Sequence, residues 1–188
     1  MTPLQELIVR FQELVAQVPE LFQPFVVMLA AAVPFLEGEL GAMVGIVGGL
    51  NPVVAAVAAA TGNFLSVALV VAFTARARTA VVHRSRVKAT VGAPSGSDVH
   101  AVDRFAAEPA QPLSKGRQRV LTWLNRFGVP GASILGPLAI PTQFTAAVLV
   151  AGGSPRRWVL LWQAVAIVLW TTVTTVSIYL ALTYVVKV

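Results

Sequence analysis

The chain of 188 residues contains no cysteine and only two histidines. The absence of cysteine excludes disulfides, thiolate metal sites and a cysteine nucleophile. His83 and His100 have no acidic or histidine neighbour at ligand spacing, which favours solvated loop residues and predicts neither a metal site nor a cofactor. The sequence also has no catalytic-triad or phosphate-loop motif, so we expect no enzymatic activity.

Charge is scarce as well. Charged residues make up 12% of the chain, 56% is hydrophobic and the mean hydropathy is +0.76. A soluble domain of this size could not bury that much apolar surface. Residues 23–74 contain only Glu37 and Glu39 as ionisable groups, and residues 127–186 contain only Arg156, Arg157 and two tyrosines. These stretches predict an all-α integral membrane protein.

Most of the basic residues lie between the two apolar stretches. Residues 76–126 hold ten Lys/Arg against three acidic residues, which predicts a cytoplasmic loop. We expect Arg84, Arg86 and Lys88 to contact anionic lipid headgroups. Residues 89–116 are rich in Gly, Pro and Ser and predict a flexible linker, followed by a basic amphipathic helix over 115–126. Because no stacking aromatics are interleaved with the cations, we expect no nucleic-acid partner.

The N-terminal segment has the pattern of an amphipathic helix. Thr2 and Pro3 suit a helix start, and apolar residues then repeat on one face up to Val18, so residues 1–19 predict a helix in the membrane interface. Packing on the protein's own bundle is the alternative. Charged residues interrupt the segment, so we do not interpret it as a cleaved signal peptide.

The apolar regions repeat one order of elements. Residues 21–50 and 127–153 are apolar but broken by Gly and Pro, and each leads through Gly-Gly and Pro into a continuous span, over 52–75 and 157–184. The repeats are thus 20–75 and 127–188, and aligning their Gly-Gly pairs matches Glu39 with Gln143. If the cations flanking 127–153 are all cytoplasmic, that stretch is a re-entrant hairpin and the halves form an inverted repeat. Alternatively, each broken stretch spans once.

Glu37 and Glu39 are the ionisable pair inside the first apolar stretch. A carboxylate there is costly unless it is solvated, paired or protonated, so we interpret both as proton-binding groups; a polar turn at the membrane surface is the alternative. Any ion-pair partner must come from outside the stretch, and Arg126 is the candidate. Further proton- or substrate-binding candidates are Asn63 on the first span and three residues beside the break in the second half, namely Thr142, Gln143 and Thr145. Helix packing is the other interpretation of these polar groups.

Short motifs in both halves resemble a known family. The first half reads PFLEGELGA (34–42), GLNP (49–52) and TGN (61–63), and resembles the Pro-x-x-Glu re-entrant segment of the small multidrug export protein family, a branch of the DedA/SNARE-associated (VTT-type) membrane superfamily. In the second half, IPTQFT (140–145) and AGGSPRRW (151–158) are similar to the DedA re-entrant segment. The resemblance implies two facing re-entrant hairpins, a bacterial inner (plasma) membrane, and Glu37 in place of the family's acidic residue. Leu138 and Phe144 stand where DedA proteins have arginines, so a phosphate site is not implied.

Together these patterns favour a small, proton-linked multi-pass membrane transporter that exports or flips a hydrophobic or amphiphilic molecule, cationic ones included. Gln143 is the expected polar partner of the glutamates in the opposing hairpin. A lipid scramblase or carrier-lipid flippase is the second interpretation, and a non-transporting accessory subunit of a larger membrane complex is the third. The expected partners are membrane lipids and a small amphiphilic substrate, with a homo-oligomer or larger complex left open.

Overall fold

The computed structural model describes residues 3–91 and 128–186, which form seven helices and no strand. The basic helix predicted over 115–126, Arg126 included, lies outside this range, as do residues 92–116 of the predicted linker, whereas its first three residues, 89–91, are helical. The helices are α1 (Pro3–Ala16), α2 (Gln23–Ala31), α3 (Glu37–Val47), α4 (Pro52–Val91), α5 (residues 128–135), α6 (Thr142–Ala151) and α7 (Arg156–Leu180). A 3-10 turn follows α5 at Gly136–Leu138, and a π-helical turn extends α7 over Ala181–Val186.

Two helices are long and apolar enough to cross a membrane. Pro52–Ala80 within α4 and Arg156–Val186, which is α7 with its extension, each contain an 18-residue window with a mean hydropathy of 2.0 and 1.9, respectively. Only 33% and 17% of their most apolar windows are buried inside the protein, so large side chains such as Leu69 and Phe73 point outward. Extended apolar faces of this kind suit lipid rather than water, which indicates membrane insertion.

Helix α4 is longer than the pattern of hydrophobicity predicted. The predicted span ended near residue 75, at the first arginines, whereas the helix continues to Val91. The reason is local: no Gly or Pro occurs between Gly62 and Gly92, so nothing in the backbone stops the helix where the polarity changes. Part of the segment predicted as a loop is therefore a helical extension of the first span.

The same helical order occurs twice, with the same turn in each copy. Two shorter helices precede a long one in both halves, as α2–α3–α4 and α5–α6–α7. Leu50 N donates to Gly45 O at 3.0 Å after α3, and Ser154 N donates to Leu149 O at 3.1 Å after α6. The residue before the donor is Gly49 in the first turn and Gly153 in the second, and both have a left-handed backbone, with φ of 92° and 101°. Both turns are Schellman motifs, which require φ > 0 at that position.

These two turns lie at opposite ends of the apolar part of α4, Pro52–Ala80. The turn after α3 leads directly into Pro52 at the start of α4. The turn after α6 lies near the other end of this part, because a Cβ on Gly153 would come within 3.2 Å of the Arg78 guanidinium. The two short-helix pairs are therefore connected to the long helices at opposite ends of the apolar part.

Helix α1 lies across the end of the bundle that contains the start of α4. Its Gln5 Nε2 donates to Val186 O at 2.8 Å, and Gln23 Nε2 of α2 donates to Val18 O just after α1 at 3.0 Å. A Cβ on Gly48 would also lie 3.1 Å from Val15 of α1. The amphipathic helix is thus placed at the end opposite to Arg78.

Helix α4 is the centre of the bundle and contacts α2, α3, α6 and α7. Its backbone approaches α2 closely at Gly62, where a Cβ would collide with the carbonyl group of Met28. A buried apolar cluster joins α4 to the second half of the chain through Val67, Leu149, Val159 and Ile167. Both helix pairs are thereby held against the same helix.

Candidate functional site

The two helix pairs meet at their tips. The first tip, residues 32–36, joins α2 to α3, and the second tip, residues 136–141, joins α5 to α6. Glu37 begins α3 and Thr142 begins α6. The Glu37 carboxylate accepts hydrogen bonds at Oε1 from Thr142 N at 2.5 Å and from Thr142 Oγ1 at 2.7 Å. The backbone N–H and the hydroxyl of Thr142, at the start of α6, thus both bind the carboxylate of the opposite tip.

Side chains of α4 and α6 extend this contact into a buried polar network. Thr142 Oγ1 lies 3.0 Å from Asn63 Oδ1. Gln143 Nε2 donates to Ser66 Oγ at 3.0 Å and to Asn63 Oδ1 at 3.4 Å. Glu37, Asn63, Thr142 and Gln143 are each at most 6% exposed. One network therefore connects both tips to the central helix.

The network lies near the middle of the apolar part of α4, Pro52–Ala80. Asn63 follows Pro52 by about 17 Å and precedes Arg78 by about 23 Å along the helix axis, at 1.5 Å per residue. The apolar part of α4 is long enough to span a bilayer, so this position is near its centre. In a bilayer, a carboxylate at this depth would depend on its protein partners or on a cleft for solvation.

The first tip holds its backbone in an uncommon conformation. Phe35 and Glu37 have φ values of 74° and 48°, although neither is glycine. Non-glycine residues in the left-handed region cost about 1–3 kcal/mol when strained and cluster at functional sites. The fold therefore retains an unfavourable backbone at the residue that presents the buried carboxylate.

The surroundings of Glu37 contain no compensating cation among the side chains that the structure describes. Residues 52–75 of α4 and all of α6 have no ionisable group, and Arg156 and Arg157 lie exposed at the far end of α7. Glu39 is the other carboxylate nearby. Because both bonds from Thr142 end on Oε1, no described residue donates to Glu37 Oε2. The carboxylate keeps free acceptor capacity.

The network can adopt two hydrogen-bond directions. Thr142 Oγ1 has one proton but lies near three acceptors, Glu37 Oε1, Asn63 Oδ1 and Gln143 Oε1. An ionised Glu37 only accepts and takes the hydroxyl proton, and Asn63 Oδ1 then accepts from Gln143 Nε2 alone. A protonated Glu37 can donate to Thr142, whose hydroxyl can then donate to Asn63 Oδ1. The proton on Glu37 thus determines which acceptor the Thr142 hydroxyl faces.

Comparisons with protein-family models, curated proteins and solved structures found no match for this chain. The geometry alone therefore supports a function for the site.

The structure brings some of the predicted site residues together and separates others. Glu37, Asn63, Thr142 and Gln143 form the network. Glu39 is half-buried, and its carboxylate accepts a hydrogen bond from its own backbone N–H and makes none with the network. Thr145 is buried but donates to Pro141 O at 3.3 Å and packs on Gly136, so it supports the second tip. Arg84, Arg86 and Lys88 lie on the end of α4, remote from the network, and their side chains are outside the described part.

Two features of the site were not predicted from the sequence. Ser66 resembles an ordinary small packing residue on α4, and its pairing with Gln143 depends on α6 reaching that level of the helix. Gly38 lets α3 approach α7, because a Cβ there would collide with Thr171 Oγ1 and lie 3.7 Å from Asn63 Nδ2. Both of those polar atoms are buried without a partner in the described residues. The sequence signal for this close approach is the position of Gly38 directly between Glu37 and Glu39.

A cleft opens between the two tips. It has a volume of about 180 Å³ and is lined by Phe35 and Glu37 of the first half and by residues 137–141 of the second. Phe35 is 74% exposed and its ring lies 6.5 Å from that of Phe144, centre to centre. Glu37 therefore belongs both to the buried network and to the wall of an open cleft.

Proposed function

We propose that this protein is a small integral membrane transporter, linked to protons, that moves a hydrophobic or amphiphilic molecule across the membrane. The observation that carries the proposal is the contact between Glu37 and Thr142, which joins the two tips near the middle of the apolar part of α4. A carboxylate that can hold or release a proton there, beside an open cleft, has the arrangement that proton-linked transport requires.

We further propose that the two helix pairs are re-entrant hairpins inserted from opposite faces of the membrane. The equivalent turns at opposite ends of the apolar part of α4 support this arrangement, because the two pairs then leave on opposite sides. Transporters built from inverted repeats bind their substrates near the midplane at broken helices. The resemblance of both halves to DedA-type re-entrant segments points to the same architecture.

The orientation follows from the basic end of α4. With Arg76, Arg78 and the rest of the predicted cytoplasmic loop inside, as the excess of positive charge favours, the turn after α6 is also inside. Helix α1 and the turn after α3 are then outside. The protein would lie in a bacterial plasma membrane with its N-terminal helix on the outer surface, next to lipid headgroups.

The test is proton movement coupled to an amphiphile in proteoliposomes. Vesicles containing a trapped pH indicator receive cationic, neutral or anionic alkyl probes, and the internal pH is followed. We expect at least one probe class to drive proton flux with the wild-type chain, and Glu37→Gln to reduce that flux by about ten-fold or more, because an amide cannot exchange a proton. Glu13→Gln, on an exposed position of α1, is the matched control.

The Glu39→Gln variant distinguishes the role of Glu39 in proton flux from that of Glu37. Glu39 stands outside the network, so we expect a smaller loss than in Glu37→Gln. Flux that survives in the Glu37→Gln/Glu39→Gln double variant would remove both carboxylates from the mechanism. Movement of labelled lipid without any proton gradient would support a scramblase instead, and no flux together with a stoichiometric co-purifying protein would support an accessory subunit.

A further inference from the structure

The cleft between the tips has the chemistry of a cation site. Glu37 lines it, and Glu37 Oε2 accepts no hydrogen bond from a described residue. The hydrogen-bond donors of Thr142 point to the other carboxylate oxygen. An ionised Glu37 therefore has an unused acceptor beside the cleft and no described counter-ion, so a ligand with a positive charge would be attracted there.

The rim of the cleft is aromatic and apolar. Phe35 lines the cleft, and Phe144 packs against Phe35 with an angle of 52° between their rings. Leu138, also in the wall, is 64% exposed. The face of a phenylalanine ring attracts a cation, and its body offers apolar contact to a hydrocarbon chain. A charged head and an apolar tail would thus find different partners a few ångströms apart.

The volume limits what the cleft can hold. At about 180 Å³ it is smaller than the roughly 300–1,000 Å³ typical of sites for drug-sized ligands. A polycyclic cation would not fit between the tips as they stand, whereas a compact ammonium head with the first methylene groups would. The rest of a single alkyl chain could lie over the exposed Phe35, Leu138 and Phe144 side chains toward lipid.

We propose that the cleft binds the head of a single-chain alkylammonium amphiphile, with Glu37 as its counter-ion and the Phe35–Phe144 pair at the junction of head and tail. This inference rests on the proposed transport function and specifies its substrate class. One carboxylate cannot hold a proton and neutralise a bound cation at the same time. Binding of the amphiphile therefore displaces the proton, which gives exchange of one cation for one proton.

The test is direct binding, which does not require transport. Radiolabelled octyltrimethylammonium is titrated onto the full chain in nanodiscs, and empty nanodiscs give the background from lipid partition. We expect saturable binding that falls by about ten-fold or more in Glu37→Gln, because the counter-ion is lost, and is unchanged in Glu13→Gln. In case Glu37→Gln disturbs the network, Phe35→Leu offers a second variant at an exposed position, with an expected loss of about three- to ten-fold.

Competition defines the ligand class. Unlabelled decyltrimethylammonium should displace the probe, whereas octyl sulfate and the bulky cation tetraphenylphosphonium should not. The inference is overturned if Glu37→Gln and Phe35→Leu both bind the probe as the wild type does. It is also overturned if octyl sulfate or tetraphenylphosphonium competes as well as decyltrimethylammonium does. Binding without proton flux would leave this site standing and remove the transport proposal. Flux driven by other probes without alkylammonium binding would leave the transport proposal standing and remove this site.

Discussion

Glu37 and Thr142 are 105 positions apart in sequence, yet Thr142 donates both its backbone N–H and its hydroxyl to the same carboxylate oxygen. The two donors differ in kind. The N–H is fixed by the start of α6, whereas the hydroxyl can turn toward Glu37, Asn63 or Gln143. The pair therefore combines a permanent link between the tips with a hydrogen bond that responds to the proton on Glu37.

Replacing Thr142 tests the responsive bond. Thr142→Val keeps the shape of the side chain and the N–H bond but removes the hydroxyl, so no hydrogen-bonding group connects Glu37 to Asn63. We expect proton-coupled flux to fall by about ten-fold and the free energy of unfolding by about 1–3 kcal/mol, the cost of an unmade buried hydrogen bond. Flux in proteoliposomes and thermal unfolding in detergent measure the two effects.

Thr142→Ser is the matched control, because it restores the hydroxyl without the methyl group. We expect it to recover most of the flux while still losing some stability from the small cavity that it leaves. Equal flux in the Val and Ser variants would show that the hydroxyl has no part in transport.

The candidate site was predictable residue by residue, but its assembly was not. Glu37, Asn63, Thr142 and Gln143 each draw attention because a polar group in an apolar stretch needs a partner. The internal alignment matches Glu39 with Gln143, yet equivalent positions in two repeats are not positions in contact. The structure joins Glu37 to Thr142 and connects Gln143 to α4, while Glu39 lies outside the network. Which side chains meet depends on the rotation and depth of each helix, which the pattern of hydrophobicity does not specify.

Elements were predicted better than their ends. The Gly-Gly pairs at positions 48–49 and 152–153 predict the breaks before both long helices, because a Schellman turn needs a residue that tolerates φ > 0. The first span was predicted to end at Arg76 on polarity alone, whereas the helix continues through Val91 because no Gly or Pro interrupts residues 63–91. The close approach at Gly38 depends on which residue of α7 faces it, information that only the fold provides.

Labelling of introduced cysteines tests the arrangement of the halves. The chain has no cysteine, so single replacements report cleanly. Gln17→Cys is exposed beside the turn after α3, and Ser154→Cys lies in the turn after α6. In intact cells an impermeant maleimide should label position 17 from outside and position 154 only after the membrane is opened. Labelling of both positions from the same side would contradict the inverted hairpins.

The close approach of α3 and α7 makes a prediction about stability. Gly38→Ala places a Cβ against Thr171 Oγ1 and should lower the free energy of unfolding by about 1–3 kcal/mol through overpacking. Thr171→Ala removes that oxygen and should restore most of the loss in the double variant, since the remaining contact of 3.5 Å to Thr171 Cβ is ordinary. Thermal unfolding of the four proteins in detergent gives the coupling.

Gly62→Ala is the contrasting variant, because its Cβ would meet the carbonyl group of Met28, a backbone atom that no substitution removes. Thr171→Ala should not rescue it. If the Gly38 and Gly62 variants respond equally to Thr171→Ala, the effect is general and the local contact between α3 and α7 does not explain it.

Replacing Asn63 tests whether this residue contributes to stability or to transport. Its Nδ2 is buried without a partner in the described part of the chain, so the amide has hydrogen bonds on one side and an unsatisfied donor on the other. Asn63→Leu removes both. Because Thr142 Oγ1 keeps Glu37 as a partner and Gln143 Nε2 keeps Ser66, neither group is left unsatisfied, and we expect the free energy of unfolding to change by less than about 1 kcal/mol. Proton-coupled flux should nevertheless fall by about ten-fold, since no Asn63 oxygen remains to accept the Thr142 hydroxyl proton when Glu37 is protonated.

Flux and thermal unfolding of the same preparation distinguish the two roles. A large loss of stability with flux per folded molecule retained would make Asn63 a structural residue and would remove it from the proposed response to the proton on Glu37.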